Sequence, residues 1–230
     1  MNRHIVACGG GGWSSDGRPG PVEDYILGLA GAARPRVCLL PTASGDSDWL
    51  VARFYDAFAR LECEPSHLAL FRAHPDAAAP RLLAADVIYV GGGSSANLMA
   101  VWEVHGLGPV LSEAWRRGVV LAGVSAGAIC WFEAGLTNSL GAGFAAVRGL
   151  GVVGGGFCPH ADSDPGRLDV LRGLVDSGRM PPTLAVDDDA AVHLTGDGPP
   201  VLLSARPGRS ARRIEPDGVE EPLEALALGA

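Results

Sequence analysis

The chain has 230 residues, 47% of them hydrophobic, which is enough apolar material for a sizeable core. Its formal net charge of −8 argues against nucleic acid or an anionic membrane surface as a partner, because both reward clustered Lys and Arg. The five cysteines are odd in number, widely spaced and without a C-x-x-C pair, so we expect free thiols, a cytoplasmic location and no structural zinc.

Short apolar runs alternate with longer amphipathic stretches, which is the pattern of a mostly parallel sheet covered by helices on both faces. No repeat or linker interrupts this alternation, so we predict one domain over residues 1–230 with a three-layer α/β sandwich. Strands are predicted at residues 5–8, 36–40, 67–70, 87–90, 119–124 and 184–186, and helices at 22–32, 48–61, 96–104, 108–117, 126–131 and 166–177. In the tail 193–214, the runs 201–203 and 211–214 flank a Pro-Gly turn and predict a C-terminal β-hairpin.

Two glycine-rich turns follow predicted strands in the first half of the chain. Residues 9–12 are four glycines after the first strand, and Gly92 and Gly93 end a triple glycine after the strand 87–90. Free backbone N–H groups at the second turn can bind an oxyanion at the carboxyl edge of the sheet, where open α/β folds place their sites. A phosphate-binding nest is the alternative, but neither turn carries Gly-Lys-Ser/Thr or a complete dinucleotide fingerprint.

The sharpest local motif is GVSAG at residues 123–127, which lies between an apolar run and a helix-forming stretch. This Gly-x-Ser-x-Gly step is the layout of a nucleophile elbow, in which the glycines let backbones approach and the hydroxyl of Ser125 projects from a strained turn. The following helix N-terminus favours negative charge, and the N–H of Ala126 can join Gly92 and Gly93 as an oxyanion donor. Because the motif is short, an ordinary glycine-rich turn that contains a serine is the alternative.

A serine nucleophile needs a base, and His160 is the best placed of the six histidines. It follows the glycine-rich stretch 149–156, downstream of Ser125, and Pro159 fixes the approach of the chain. A structural or merely exposed role is the alternative for His160, while His193 alternates with apolar residues and is better explained as a strand residue. The other histidines precede Ser125, and nothing near them suggests chemistry: His4, His67, His74 and His105.

The acid that would orient the imidazole has several candidates. Asp188 belongs to a run of three aspartates that follows the strand 184–186, at the edge of the sheet where His160 is expected. Three consecutive acids are also typical of a solvated turn, so other carboxylates compete for this role. The principal rival is Glu133, eight residues after Ser125, and the remaining ones are Asp162 and Asp164.

Three motifs in order, the triple glycine at 91–93, GVSAG at 123–127 and Pro159-His160, resemble the peptidase E family, the aspartyl dipeptidases related to cyanophycinase. The resemblance covers most of the chain and implies a class I glutamine amidotransferase-like fold, with serine where the amidotransferases use cysteine. It implies Ser125 as the nucleophile, His160 as the general base and Asp188 as the orienting acid. It also implies a homodimer, and oxyanion donors at the triple glycine and the nucleophile turn: Gly92, Gly93 and Ala126.

The chain departs from this family at two places. Peptidase E has an aspartate in the loop after the nucleophile helix, where this chain has Asn138 and Ser139. Better-known members have Asn-Thr after the triple glycine, where this chain has Ser94 and Ser95. Recognition of an N-terminal aspartate therefore does not follow from these positions. Ser94 is still a substrate-binding candidate, and Arg167 is a candidate partner for a substrate carboxylate.

We therefore predict a serine peptidase that cleaves dipeptides or other short peptides by acyl transfer, with no metal and no cofactor. One alternative is another acyl hydrolase on the same fold, such as an esterase, an amidase or a cyanophycinase-like enzyme. The other is a non-catalytic binding protein that retains the amidotransferase-like fold, because the loop aspartate is missing.

Overall fold

A computed structural model describes residues 3–72, 77–196, 198–204 and 206–228. The strands are β1 His4–Cys8, β2 Arg36–Leu40, β3 Glu64–His67, β4 Val87–Val90, β5 Val120–Val124, β6 Ala134–Thr137, β7 Ala145–Arg148, β8 Gly156–Cys158, β9 Thr183–Val186, β10 Ala190–Thr195, β11 Val201–Ser204, β12 Ala211–Ile214, β13 Glu220–Pro222 and β14 Ala225–Ala227. The helices are α1 Trp13–Asp16, α2 Pro21–Leu29, α3 Asp48–Phe58, α4 Ala78–Leu83, α5 Ser95–Val104, α6 Leu107–Arg116, α7 Ala126–Ile129 and α8 Arg167–Asp176. Within the described ranges, no helix has both the length and the apolar character needed to cross a membrane.

The larger sheet contains eight strands in the order β14-β11-β10-β1-β5-β4-β2-β3. The neighbours from β1 to β3 in this order run parallel, as the alternation of apolar runs and amphipathic stretches predicts. β1 and β5 pair from Ile5 with Leu121 to Cys8 with Val124, so these two central strands end at the same edge. The turn 9–12 and Ser125 therefore leave the sheet side by side.

Helices cover both faces of the larger sheet. Successive residues of β1, Ile5 and Val6, belong to different buried clusters, as expected because strand side chains alternate between faces. Helices α1 to α3 pack on the face of Val6 through residues such as Phe54. Helices α4 to α7 pack on the face of Ile5 through residues such as Trp102 and Leu111. The predicted α/β sandwich with helices on both faces is confirmed.

A second sheet has six strands in the order β13-β12-β9-β8-β6-β7 and is an addition to the predicted architecture. Its strands β6, β7 and β8 are only three or four residues long and lie in a glycine-rich region, so they carry little periodicity. β8 runs parallel to β9, with Cys158 beside Ala185. This pairing brings two strand ends together, because His160 lies two residues after β8 and Asp188 two residues after β9.

A C-terminal hairpin is present, but its strands differ from those predicted. β11 and β12 flank the predicted turn, yet β11 pairs with β10 in the larger sheet and β12 pairs with β9 in the second. The antiparallel hairpins of this region are β10 with β11 and β12 with β13. Pro and Gly favour a change of direction without deciding which strand becomes the neighbour. The pairing of run 201–203 with run 211–214 was therefore a wrong prediction.

The predicted strand at 67–70 is displaced toward the N-terminus. β3 is a short polar segment at the edge of the larger sheet, and it pairs with β2 from Glu64 opposite Arg36 to His67 opposite Leu39. Leu68 and Leu70 are buried, but they belong to the loop after β3. An edge strand with polar side chains lacks the apolar run on which strand prediction relies.

Candidate active site

Ser125 lies in the turn between β5 and α7 and has a φ of 56°. A left-handed conformation at a residue with a side chain costs about 1–3 kcal/mol and persists where the surrounding structure enforces it. A Cβ on Gly123 would meet the carbonyl oxygen of Gly127 at 2.0 Å, and a Cβ on Gly127 would meet that of Val90 at 2.2 Å. The two glycines of the motif are therefore required by the close approach of β4, β5 and α7.

His160 contacts both Ser125 and Asp188. Its Nε2 lies 2.9 Å from Oγ of Ser125, and its Nδ1 lies 2.6 Å from Oδ1 of Asp188. Because an ionised carboxylate only accepts hydrogen bonds, Nδ1–H donates to Asp188, and Nε2 is left to accept from the serine hydroxyl. His160 has a φ of 55°, and its backbone N–H donates to the carbonyl oxygen of Gly9 at 3.2 Å. The three side chains thus form one continuous hydrogen-bonded chain.

The three aspartates after β9 have different partners. Oδ2 of Asp187 accepts from the backbone N–H of Ser210 at 2.9 Å and from its hydroxyl at 2.8 Å. Oδ2 of Asp189 lies 3.3 Å from the guanidinium of Arg206. The middle carboxylate, that of Asp188, is the one that contacts the imidazole. The local sequence pattern does not distinguish these three neighbours, and Asp188 was named on the family resemblance.

The rival acids make other contacts. Oε2 of Glu133 accepts from the backbone N–H of Gly155 at 2.9 Å. Oδ1 of Asp162 accepts from the backbone N–H of Asp188 at 2.8 Å. A carboxylate therefore reaches His160 in this chain without the loop aspartate that peptidase E has near position 138.

The predicted oxyanion donors lie beside Ser125. A Cβ on Gly92 would stand 3.6 Å from Cβ of Ser125, and a Cβ on Gly93, whose φ is 141°, would meet the carbonyl oxygen of Ala43 at 2.2 Å. Ala126 is the first residue of α7, so its N–H has no acceptor within the helix. In the part of the chain that the structure describes, no backbone hydrogen bond uses the N–H of Gly92, Gly93 or Ala126.

A cavity of about 280 Å³ opens beside Ser125 and His160. Its ionisable lining residues are His160, Asp164 and Arg167. Arg167 is only 2% exposed, its Nε donates to Oδ2 of Asp164 at 3.1 Å, and its guanidinium lies 4.5 Å above the ring of Phe144. Arg167, the predicted partner of a substrate carboxylate, is thus already paired with Asp164 of the same cavity.

Ser94 and Ser95 have different surroundings. Oγ of Ser94 accepts from the backbone N–H of Asn97 at 3.2 Å and caps α5. Ser95 is buried and lines the cavity together with Thr137, whose hydroxyl donates to Oγ of Ser95 at 3.3 Å. Sequence reasoning missed Ser95 and Thr137 as cavity residues, because they meet across 42 residues of sequence and no local pattern shows that contact.

The glycine turn 9–12 packs against the His160–Asp188 pair. A Cβ on Gly10 would stand 1.9 Å from Oδ1 of Asp188 and 2.6 Å from the ring of His160. The carbonyl oxygen of Gly10 accepts from the backbone N–H of Asp189 at 3.1 Å. Four consecutive glycines after β1 were the available signal. The sequence pattern does not predict that the loops of His160 and Asp188 pack against this turn.

The cysteines near the site are not rival nucleophiles. All five are buried and free, as their number and spacing predict. Burial raises the pKa of Cys8 and of Cys158 to about 12, and it raises that of Cys130 well above its usual value. Thiols with such pKa values stay protonated near neutral pH and are weakly nucleophilic. Among the described residues, no three His, Cys, Asp or Glu side chains are grouped to hold a metal ion.

His193 forms a second histidine cluster away from this site. Its Nε2 lies 3.0 Å from Nδ1 of His4, and its Nδ1 lies 2.9 Å from the hydroxyl of Tyr25. His193 is a residue of β10, as predicted, and it is only 7% exposed. Burial lowers its pKa to about 4, and the neighbouring His4 adds to this effect. His74 lies outside the described residues.

Solved structures with the same fold include two peptidases. A crystal structure of a peptidase from an acI-B1 Actinobacterium superposes with a TM-score of 0.74 at 20% identity, over 98% of this chain and 95% of that chain. The structure of a putative peptidase E protein from Listeria monocytogenes EGD-e superposes with a TM-score of 0.66 at 16% identity, over 88% of this chain and 98% of that chain. At these identities the likeness shows the fold.

Sequence comparison identifies the family. The chain is 42% identical over 230 residues to "Uncharacterized peptidase YgaJ" of Bacillus subtilis (strain 168), which covers 99% of this chain and 100% of that protein. The family described as "Peptidase family S51" matches residues 5–201. The chain therefore belongs to peptidase family S51 and is a serine-type peptidase.

Proposed function

We propose that this peptidase hydrolyses dipeptides or other short peptides with Ser125 as nucleophile, His160 as general base and Asp188 as orienting acid. The observation that carries this proposal is the chain of contacts from Ser125 to His160 at 2.9 Å and from His160 to Asp188 at 2.6 Å, beside an open cavity. The left-handed turn at Ser125 between β5 and α7 supports its assignment as a nucleophile elbow.

The proposed reaction needs only these side chains, peptide and water. As Oγ of Ser125 attacks the carbonyl carbon, Nε2 of His160 takes the hydroxyl proton, and Asp188 stabilises the imidazolium. The imidazolium passes this proton to the leaving amine as the C–N bond breaks, which leaves an acyl group on Oγ. Water then loses a proton to the same imidazole and attacks the ester, and return of that proton to Oγ restores the serine.

The oxyanion of each tetrahedral intermediate is the proposed ligand of the free N–H groups beside Ser125. Gly92 and Ala126 flank the serine from two different turns, and Gly93 adds a third donor. Donors held in place before the reaction stabilise the developing charge without reorganisation, and loss of one such donor typically costs about 100- to 1000-fold in kcat.

The cavity supports a short substrate. Its volume of about 280 Å³ lies just below the usual range for small-molecule sites, which favours a dipeptide or the end of a short peptide. Because Arg167 is paired with Asp164, the described residues that line the cavity include no unpaired guanidinium for an acidic side chain. Our proposal therefore includes no preference for aspartate.

We also propose a single domain, a cytoplasmic location and a homodimer. The single domain is supported by one buried cluster that contains Ile5 of the larger sheet and Phe157 of the second. Five free, buried thiols support a reducing compartment. The homodimer rests on the family resemblance.

Replacement of the nucleophile tests the mechanism. Ser125→Ala should abolish hydrolysis of dipeptides while the unfolding temperature stays close to that of the wild type, because the change removes one hydroxyl. Ser66→Ala is a matched control, since its hydroxyl donates to the carbonyl oxygen of Val37 within the sheet, and it should retain activity. Hydrolysis by Ser125→Ala at the wild-type rate would reject the mechanism.

Reactivity toward a fluorophosphonate probe tests the same serine without a chosen substrate. We expect one covalent label per chain on Ser125 and none after Ser125→Ala. Parallel assays with matched peptide, ester and amide substrates separate a peptidase from another acyl hydrolase. Hydrolysis of the esters and amides without hydrolysis of any peptide tested would contradict the proposed substrate class.

A further inference from the structure

Asp162 and Arg209 form an ion pair directly behind the proposed catalytic acid. Asp162 lies two residues after His160, but its Oδ1 accepts from the backbone N–H of Asp188 at 2.8 Å, and its Oδ2 pairs with the guanidinium of Arg209. Of the described residues, those that line the cavity do not include Asp162 or Arg209. The pair therefore acts on the site through the backbone of Asp188.

Two hydrogen bonds join the loop of His160 to the turn of Asp188 and close a ring. One runs between the His160 and Asp188 side chains at 2.6 Å, and the other runs from the Asp188 N–H to Asp162 at 2.8 Å. The same loop thus holds Asp188 by its carboxylate and by its backbone. Asp162 is the recorded acceptor of the Asp188 N–H, while the N–H groups of Asp187 and Asp189 donate to the carbonyl oxygens of Ser210 and Gly10.

Arg209 connects this ring to the segment between β11 and β12. Its guanidinium pairs with Asp162 and also lies 3.9 Å from Oδ2 of Asp189, the residue after Asp188. The side chains of Arg209 and Asp162 are 32% and 26% exposed, so the pair is partly shielded from water. Arg209, in the segment between β11 and β12, therefore holds the carboxylate of Asp162, which accepts from the backbone N–H of Asp188.

We infer that the Asp162–Arg209 pair is a positioning device that sets the hydrogen bond between Asp188 and His160. This inference rests on the proposed function, in which that hydrogen bond orients the base. Asp162 and Arg209 are positioning residues, since they act through the Asp188 backbone and do not line the cavity. Their loss lowers the rate of the chemical step and leaves substrate affinity unchanged.

Steady-state kinetics of substituted proteins give the first test. Asp162→Ala and Arg209→Ala should each lower kcat about 10- to 100-fold with KM unchanged, because small misplacements of catalytic groups have effects of this size. Asp162→Asn should lose less than Asp162→Ala, since its amide oxygen still accepts from Asp188. Arg209→Lys should likewise lose less than Arg209→Ala. Arg209 lies outside the core, so its variants decide the question if Asp162→Ala does not fold.

Arg172 provides a matched control. It pairs with Glu220 at the protein surface, with Nε donating to Oε1 at 2.7 Å and side-chain exposures of 37% and 29%, close to those of Arg209 and Asp162. Arg172→Ala should leave both kcat and KM at wild-type values. An equal loss of kcat in Arg172→Ala and Arg209→Ala would show a general stability effect and overturn the inference.

Proton NMR separates this inference from the proposed function. The Nδ1 proton of His160, bound to Asp188, should give a downfield resonance that disappears or shifts in Asp162→Ala and persists in Arg172→Ala. An unchanged resonance together with an unchanged rate of fluorophosphonate labelling would overturn the inference. Failure of the wild type to hydrolyse peptides or to accept the label would instead reject the proposed function, while the resonance would still decide the role of Asp162.

Discussion

Two histidines lie beside β1, and each makes two side-chain hydrogen bonds. The backbone N–H of His160 donates to the carbonyl oxygen of Gly9, the residue after β1. The side chain of His160 contacts a serine hydroxyl and a carboxylate, and it is 29% exposed beside a cavity. His193 contacts His4 at the start of the strand and the hydroxyl of Tyr25, and it is 7% exposed. Hydrogen bonding alone therefore does not distinguish a site from a structural cluster.

The difference lies in the partners and in access. A buried imidazole whose neighbours are a second imidazole and a phenol has nothing to stabilise a positive charge, and its pKa is lowered to about 4. His160 has the carboxylate of Asp188 on one side and a hydroxyl at a strained turn on the other. This combination supports proton transfer at His160, and the burial of His193 supports a structural role.

The largest expected effect comes from exchanging the two histidines for glutamine in separate proteins. His160→Gln should lower kcat by about 10,000-fold or more, because glutamine cannot take the serine proton. His193→Gln should keep kcat within a few-fold and lower the free energy of unfolding by about 1–3 kcal/mol, since His4 and Tyr25 lose a partner. Kinetics and urea unfolding measure both quantities. Similar losses of kcat in the two variants would remove the distinction between the clusters.

Asp188→Asn is expected to have the next largest effect. The amide can donate where the carboxylate accepts, so the imidazole loses the partner that keeps Nδ1 protonated, and kcat should fall about 1000- to 10,000-fold. Glu133→Gln is the comparison, because Glu133 binds Gly155 and should affect kcat only slightly. A larger loss in Glu133→Gln than in Asp188→Asn would assign the acid to the rival position.

Gly10→Ala should have a moderate effect on activity. The new Cβ would stand 1.9 Å from Oδ1 of Asp188, so the His160–Asp188 pair must shift, and we expect kcat to fall about 10- to 100-fold. Gly28→Ala in α2 is the control, because a Cβ there meets nothing within 4 Å. That variant should keep full activity and gain about 0.5–1 kcal/mol of stability. Full activity of Gly10→Ala would show that the pair tolerates displacement.

The smallest effect concerns stability and pH. The pKa of His193 falls from 6.5 to about 4 on folding, so its contribution to stability is complete above pH 6.5 and is lost as the pH falls toward 4. The lost stability should be about 2–3 kcal/mol at most. Urea unfolding at pH 7.5 and pH 4.5 should therefore show a larger decrease for the wild type than for His193→Gln. An equal decrease in both proteins would exclude His193 as its source.

Local sequence patterns were sufficient for much of the site. The GVSAG motif and the glycine turns follow apolar runs, and parallel strands bring their carboxyl ends to one edge, so the approach of Ser125 to the glycine turns was predictable. The approach of His160 did not follow from predicted strands, because β8 is only three residues long and lacks an apolar pattern. Local pattern alone did not choose among Asp187, Asp188 and Asp189, and the choice of Asp188 depended on the family resemblance. The pairing of Arg167 with Asp164 in the cavity was also beyond prediction, since a motif does not show what a side chain meets after folding.

By itself, the sequence determined the alternation of strands and helices and the strained turn at Ser125, because both depend on neighbours along the chain. Only the tertiary structure decided that β11 and β12 join different sheets, and that β8 and β9 pair so that Asp188 meets His160. The physical reason is that strand pairing and ion pairing depend on residues distant in sequence, whose approach is set by the packing of the whole core.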